Sequence, residues 1–216
     1  MRHNRMVLPM ALVGAGSGIA FLLLKRRVMA HETRRVDGQV RKRFRKRRRP
    51  IARAFATGIG PLGKWWGQMP VSLGIATVAW RARGPRAAAP IAAASAAAAA
   101  LAWVLEQAIT PRTPPPGRHQ PSEPAFPSGH ALNTSAAAWT AAYVLVREGL
   151  VSPASAIPLA IALPAASGLA KLYTDGHWFT DVAGGYLLGA TVAAAAATGH
   201  ELARPRRRSI VARLAR

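Results

Sequence analysis

The sequence predicts an all-helical membrane protein, a polytopic bundle of about six helices. Three observations lead there. Half of the 216 residues are apolar, and several apolar stretches approach the length of a bilayer span. Polar turns containing Gly and Pro separate these stretches, and strand signals are scarce. Charge is segregated: the net charge is +22, 14 Lys and Arg fall within residues 25–53, and a second basic cluster occupies residues 204–216. Mean hydropathy is only +0.11 because much of the apolar content is alanine, which forms helix readily and lets helices approach closely but gives a weak hydropathy signal.

The elements follow in order. Residues 6–24 are apolar with basic flanks and read as a first span. A signal peptide would look similar, but a dense basic run stands where a small-residue cleavage site would be. Residues 25–53 are too charged for hydrocarbon and read as a solvated juxtamembrane helix or loop, attracted to anionic headgroups. Such runs also serve as nucleic-acid arms, but here the run is tethered to a membrane chain and no nucleic-acid partner is expected. Residues 54–80 begin with the broken stretch GIGPLGKWWGQMP, an interfacial approach with Trp65 and Trp66 as belt residues, and continue as a span over roughly 69–80. After the basic turn RARGPR comes an Ala-rich span, 87–109, then a proline-rich polar loop, 110–127. Residues 128–146, 154–172 and 178–198 complete the set, with Pro158 and Pro164 expected to kink the fifth span. This divides the chain into an N-terminal span with its basic segment (1–53), a core (54–200) and a basic tail (201–216).

Because spans alternate direction, the loop after the third and the loop after the fifth lie on one membrane face. His130 and His177 therefore share that face. His177 and Asp181 are spaced i, i+4 on one helix side, so the carboxylate can accept a hydrogen bond from one ring nitrogen and leave the other as base or nucleophile. Alone, the pair reads equally well as a structural helix-end pair. Ser128 is a good N-cap, and it opens a helix whose free amides, including that of Gly129, suit an anion. His130 could donate a proton to a leaving group, and Lys171 and Arg112 supply cations for a phosphate. A nucleophile, an acid, cations and an anion cradle together describe phosphoryl transfer. The absence of cysteine excludes disulfides and thiolate chemistry. A metal bound by His130, His177 and Asp181 would lack further carboxylates, and no G-x-S-x-G elbow supports a serine hydrolase. His3, His31, His119 and His200 read as solvated, without a role.

FPSGH (126–130) together with AKLYTDGHWFTDVAGGYLLG (170–189) resembles the type 2 phosphatidic acid phosphatase (PAP2) superfamily, over roughly residues 54–200. That family's second motif is P-S-G-H and its third S-R-x5-H-x3-D, which Lys171, His177 and Asp181 follow with Ala170-Lys171 in place of Ser-Arg. The resemblance implies a PAP2-like membrane bundle and a phosphatase of lipid phosphates that needs no metal or other cofactor. In it, His177 attacks phosphorus and forms a phosphohistidine, Asp181 orients His177, and His130 protonates the leaving oxygen. Ser128, Gly129, Lys171 and Arg112 hold the phosphoryl oxygens. The first motif, K-x6-R-P, is degenerate. Aligned on Pro114, the Lys position is Glu106 and the Arg position Thr113; aligned on Arg112, the Lys position is Leu105. Arg118 offers a substitute cation, and Glu106 reads as a cap or a partner for Arg112. The alternative is a catalytically silent membrane protein of the same fold that binds anionic lipid or a partner through its basic segment.

Overall fold

The computed structural model describes residues 5–46, 49–109, 112–116 and 125–204. Among these every regular element is helical: α1 (Val7–Met29), α2 (Arg34–Lys46), α3 (Pro50–Ile59), a 3-10 turn (Gly60–Gly63), α4 (Trp65–Arg83), α5 (Pro85–Ala108), α6 (Gly129–Arg147), α7 (Pro153–Tyr173) and α8 (Phe179–Ala203). Arg118, His3, His119 and residues 205–216 of the basic tail lie outside the described residues.

The first span is longer than expected. Lys25, Arg26 and Arg27 continue α1 for another turn and a half, which places cations at its C-terminal end, where the helix dipole favours them. The basic segment is therefore chiefly the end of α1 followed by α2. The broken stretch divides as its Gly and Pro residues suggest, into α3, the 3-10 turn and α4. Two glycines take a left-handed backbone at helix junctions, Gly84 (φ +80) between α4 and α5 and Gly149 (φ +68) between α6 and α7. Both allow a tight reversal without a Cβ clash.

Four helices, α1, α5, α7 and α8, are long and apolar enough to cross a membrane. Leu8, Leu12, Ile19, Leu22 and Leu23 of α1 and Ile157, Leu159, Ile161 and Leu163 of α7 are exposed. Belts of large apolar side chains on this scale suit lipid as their solvent, and the protein is an integral membrane protein. Helices α4 and α6 fall short on hydropathy for a physical reason. Helix α6 packs on α4, α5, α7 and α8, so Asn133, Thr134, Ser135 and Thr140 are buried in protein. The hydroxyls of Thr134 and Ser135 donate to the carbonyls of His130 (2.7 Å) and Ala131 (2.6 Å) one turn back. In α4, the Gln68 amide donates to Ser72 (2.6 Å) and to Ser95 of α5 (2.9 Å). Six helices, α1, α4, α5, α6, α7 and α8, alternate in direction and bring the ends of α1, α5 and α7 and the starts of α4, α6 and α8 to one end of the bundle.

The seam between α6 and α8 has almost no side chain on the α8 side. A Cβ added to Gly185 would lie 2.5 Å from the Ser128 carbonyl oxygen, and one on Gly189 would lie 1.8 Å from Ser135 Oγ. Gly184 likewise admits the Phe126 ring, 2.9 Å from where its Cβ would be, and that ring stacks on Phe21 of α1 at 5.9 Å. This is the close approach that small-xxx-small spacing permits. It seats the FPSGH stretch directly on the first turns of α8.

Candidate active site

Ser128 caps α6 as expected, its Oγ accepting from the Ala131 amide (3.4 Å). Its own amide donates to the Asp181 carbonyl (2.9 Å), which ties the start of α6 to the start of α8. His130 and His177 then meet edge to face, with ring centroids 6.1 Å apart. Both line a cavity of about 460 Å³ whose wall also includes Gly63, Lys64, Trp65, Trp66, Glu106, Gly129 and Asn133.

The orientation of His177 differs from expectation. Its Nδ1 lies 2.8 Å from the Ala125 carbonyl, whereas Asp181 Oδ2 is 3.8 Å away. A carbonyl only accepts, so Nδ1 carries the proton and Nε2 keeps its lone pair. The tautomer needed for a nucleophile is set by backbone rather than by the carboxylate. Asp181 is engaged elsewhere: it accepts from the Trp178 amide (2.7 Å) at the first turn of α8 and pairs with Arg112.

Arg112 is correspondingly not at the histidine cavity. Its guanidinium joins Asp181 and the Thr180 hydroxyl (2.9 Å) to Asp37 of α2 (2.6 Å). Asp37 also accepts from the Thr180 amide (3.0 Å) and hydroxyl (2.9 Å). Asp37 and Asp181 are 1 % and 0 % exposed, so the cation is needed to balance two buried carboxylates. Arg112 instead lines a separate cavity with Arg34 and Trp178. Its partners are Asp37 and Asp181, and Glu106 instead faces the histidine cavity, one carboxylate oxygen 3.7 Å from the place a Cβ on Gly129 would take.

Four residues apart on α2, Asp37 and Arg41 face the bundle together. Arg41 pairs with Asp175 (3.0 Å) in the turn before His177, and it lies 6.0 Å from the centre of the Trp178 ring. The basic helix is thus latched to the site end of α8 by one acid and one base, while Arg34, Arg35, Lys42, Arg43, Arg45 and Lys46 remain exposed. Lys171 lies in the last turn of α7; its carbonyl accepts from the Gly176 amide (2.8 Å), and its Nζ reaches to 3.9 Å from a Cβ position on Gly60.

Sequence reasoning missed Lys64, Asn133 and the structural part of Asp37. Asn133 donates to the Gly63 carbonyl (3.3 Å). A lone acid inside a run of arginines was the available signal for Asp37, and a cation between a Gly/Pro-broken turn and two tryptophans was the one for Lys64. Among the described residues, no three His, Asp or Glu side chains converge as a metal site. His200, expected at the surface, is 1 % exposed.

The family model of the PAP2 superfamily matches residues 11–204. The chain belongs to the PAP2 superfamily. Its fold is shared with a crystal structure described as the first transmembrane PAP2-type phosphatidylglycerolphosphate phosphatase from Bacillus subtilis, with a TM-score of 0.80, 24% identity, and coverage of 91% of this chain and 100% of that one. No curated protein matches the sequence. The matched region takes in most of α1 and the whole basic segment, a longer region than the two motifs alone suggested.

Proposed function

We propose that this PAP2 protein is a lipid-phosphate phosphatase acting through a phosphohistidine on His177. The observation that carries the reading is the pair of histidines in one cavity, with Nδ1 of His177 tied to a carbonyl and Nε2 left as the nucleophilic atom. The Nε2 lone pair attacks phosphorus, and the bond from phosphorus to the lipid oxygen breaks. His130, in the first turn of α6, gives its proton to that oxygen. His130 then takes a proton from water, which attacks the phosphoryl group and releases phosphate and free His177. Ser128, the Gly129 amide and Lys171 contribute the cradle for phosphoryl oxygens. Asp181 acts indirectly, holding the first turn of α8, and Arg112 positions that turn through Asp37.

A phosphorylated lipid is the substrate class that suits a cavity at the end of the spans, rimmed by Trp65 and Trp66, which are exposed. The outward cations of α2 favour a bilayer with anionic lipids, each contributing about 1 kcal/mol near the surface. The test is phosphate release by detergent-purified protein, with EDTA present, from phosphatidate, phosphatidylglycerophosphate and polyprenyl diphosphate. Release that disappears in His177→Ala is expected. No release from any of them, or release that survives His177→Ala, would overturn the proposal. Glu106 in the cavity wall favours a second reading, a silent member of the fold; that reading predicts that no phosphohistidine is trapped from any of these lipids.

A further inference from the structure

We infer that Lys64 is a second phosphate-binding cation of this site, beside Lys171, taking the place of the cation that the degenerate first motif lacks. The inference rests on the phosphoryl-transfer reading of the cavity and adds a residue that no motif contains. A phosphoryl group carries up to two negative charges into a site whose wall holds Glu106. Opposite charge must come from somewhere. Arg112 is committed to Asp37 and Asp181, and the aligned first-motif positions are Leu105 or Glu106.

Lys64 meets the need by position. It lines the same cavity as His130, His177 and Gly129. Among the described residues no carboxylate lies within ion-pair distance of it, and its side chain is exposed. Its backbone is held firmly. The Lys64 amide donates to the Pro61 carbonyl (3.0 Å), and the Lys64 carbonyl accepts from Gly67 (3.1 Å) and Gln68 (2.9 Å) at the start of α4. The preceding Gly63 is pressed on the general acid: a Cβ there would lie 2.6 Å from His130 Cδ2 and 2.9 Å from Ser167 Oγ. The lysine is therefore presented from a rigid turn packed against His130, and pre-organisation of this kind makes a flexible ammonium useful in binding.

The experiment measures inorganic phosphate binding to the full-length protein in neutral detergent by calorimetry, beside KM for a short-chain phosphatidate. Lys64→Gln is expected to weaken phosphate binding about tenfold, as loss of one charge-assisted hydrogen bond does, and to raise KM similarly. Lys64→Arg should retain binding within about threefold because the charge remains. Arg53→Gln removes an exposed cation outside this cavity and should bind as the unmodified protein does. Unfolding temperatures should match, since the Lys64 side chain is exposed. Wild-type affinity in Lys64→Gln, or no phosphate binding by the unmodified protein, overturns the inference. If Lys64 merely anchors the chain to headgroups, Lys64→Gln would lose affinity for phosphatidylglycerol vesicles and keep phosphate binding, which also overturns it. Binding that depends on Lys64 without any lipid-phosphate hydrolysis would instead sink the phosphatase reading and leave this assignment standing.

Discussion

One histidine, His177, stands just before helix α8 and another, His200, lies in its last turn, and the two have different surroundings. His200 is enclosed, with Nδ1 3.2 Å from the Arg86 carbonyl and Nε2 3.2 Å from Glu148. Beside it, Glu201 binds Arg147 (2.6 Å) and the Tyr143 hydroxyl (2.9 Å). These contacts join α8 to α5 and to the end of α6. His177 likewise has an acid within 4 Å and a backbone carbonyl at Nδ1, but its ring borders a cavity shared with His130. A nearby carboxylate is common to both ends. What separates them is a ring nitrogen facing open space beside a second titratable group.

The comparison can be broken most forcefully by exchanging the fates of the two histidines. His177→Ala should reduce lipid-phosphate hydrolysis by at least about a thousandfold, as removal of a nucleophile does, with little change in unfolding temperature. His200→Ala should do the reverse: hydrolysis within about twofold of normal, and a stability loss of about 3 kcal/mol because Glu148 is left buried beside a hole. Loss of activity in His200→Ala without loss of stability would mean that the two ends are coupled in some other way.

Next in size is the seam that aligns the site. Gly189→Leu must displace Ser135 and the α6 backbone, and should prevent recovery of folded protein from detergent extracts. Gly199→Ala, on the same helix with nothing within 4 Å of its Cβ position, should be neutral or stabilising by about 0.5–1 kcal/mol. Size-exclusion profiles of the two variants make the comparison.

A smaller effect is expected at the latch. Asp37→Asn weakens the pairing with Arg112 while keeping the cap on Thr180. Its kcat should fall about tenfold with KM little changed, since the residue positions α8 and does not touch substrate. A rise in KM alone would place Arg112 in direct contact with phosphate after all.

Much of this architecture was legible in the chain. The helical bundle, the Ser128 cap and the placing of His130 and His177 at one end follow from apolar span length, N-cap chemistry and alternation of spans. What stayed hidden depends on distant partners. Arg112 reads as a phosphate ligand until Asp37, 75 residues away in sequence, is seen to claim it. Asp181 reads as the orienter of His177 until the Ala125 carbonyl appears at Nδ1. Lys64 sits outside every motif, and only folding of the Gly60–Gly63 turn against His130 brings it to the cavity. Hydropathy under-reads α4 and α6 because Gln68, Ser72, Asn133, Thr134, Ser135 and Thr140 count as polar yet are buried against other helices.

The central claim is that His177 attacks through Nε2 because Nδ1 is held by the Ala125 carbonyl. Rapid mixing with a phosphorylated lipid, alkaline quenching and phosphorus NMR of the trapped protein test it directly. The account predicts an acid-labile phosphohistidine at residue 177, substituted on Nε2. Hydrolysis proceeding with phosphate on Nδ1, on another residue, or on none would contradict it.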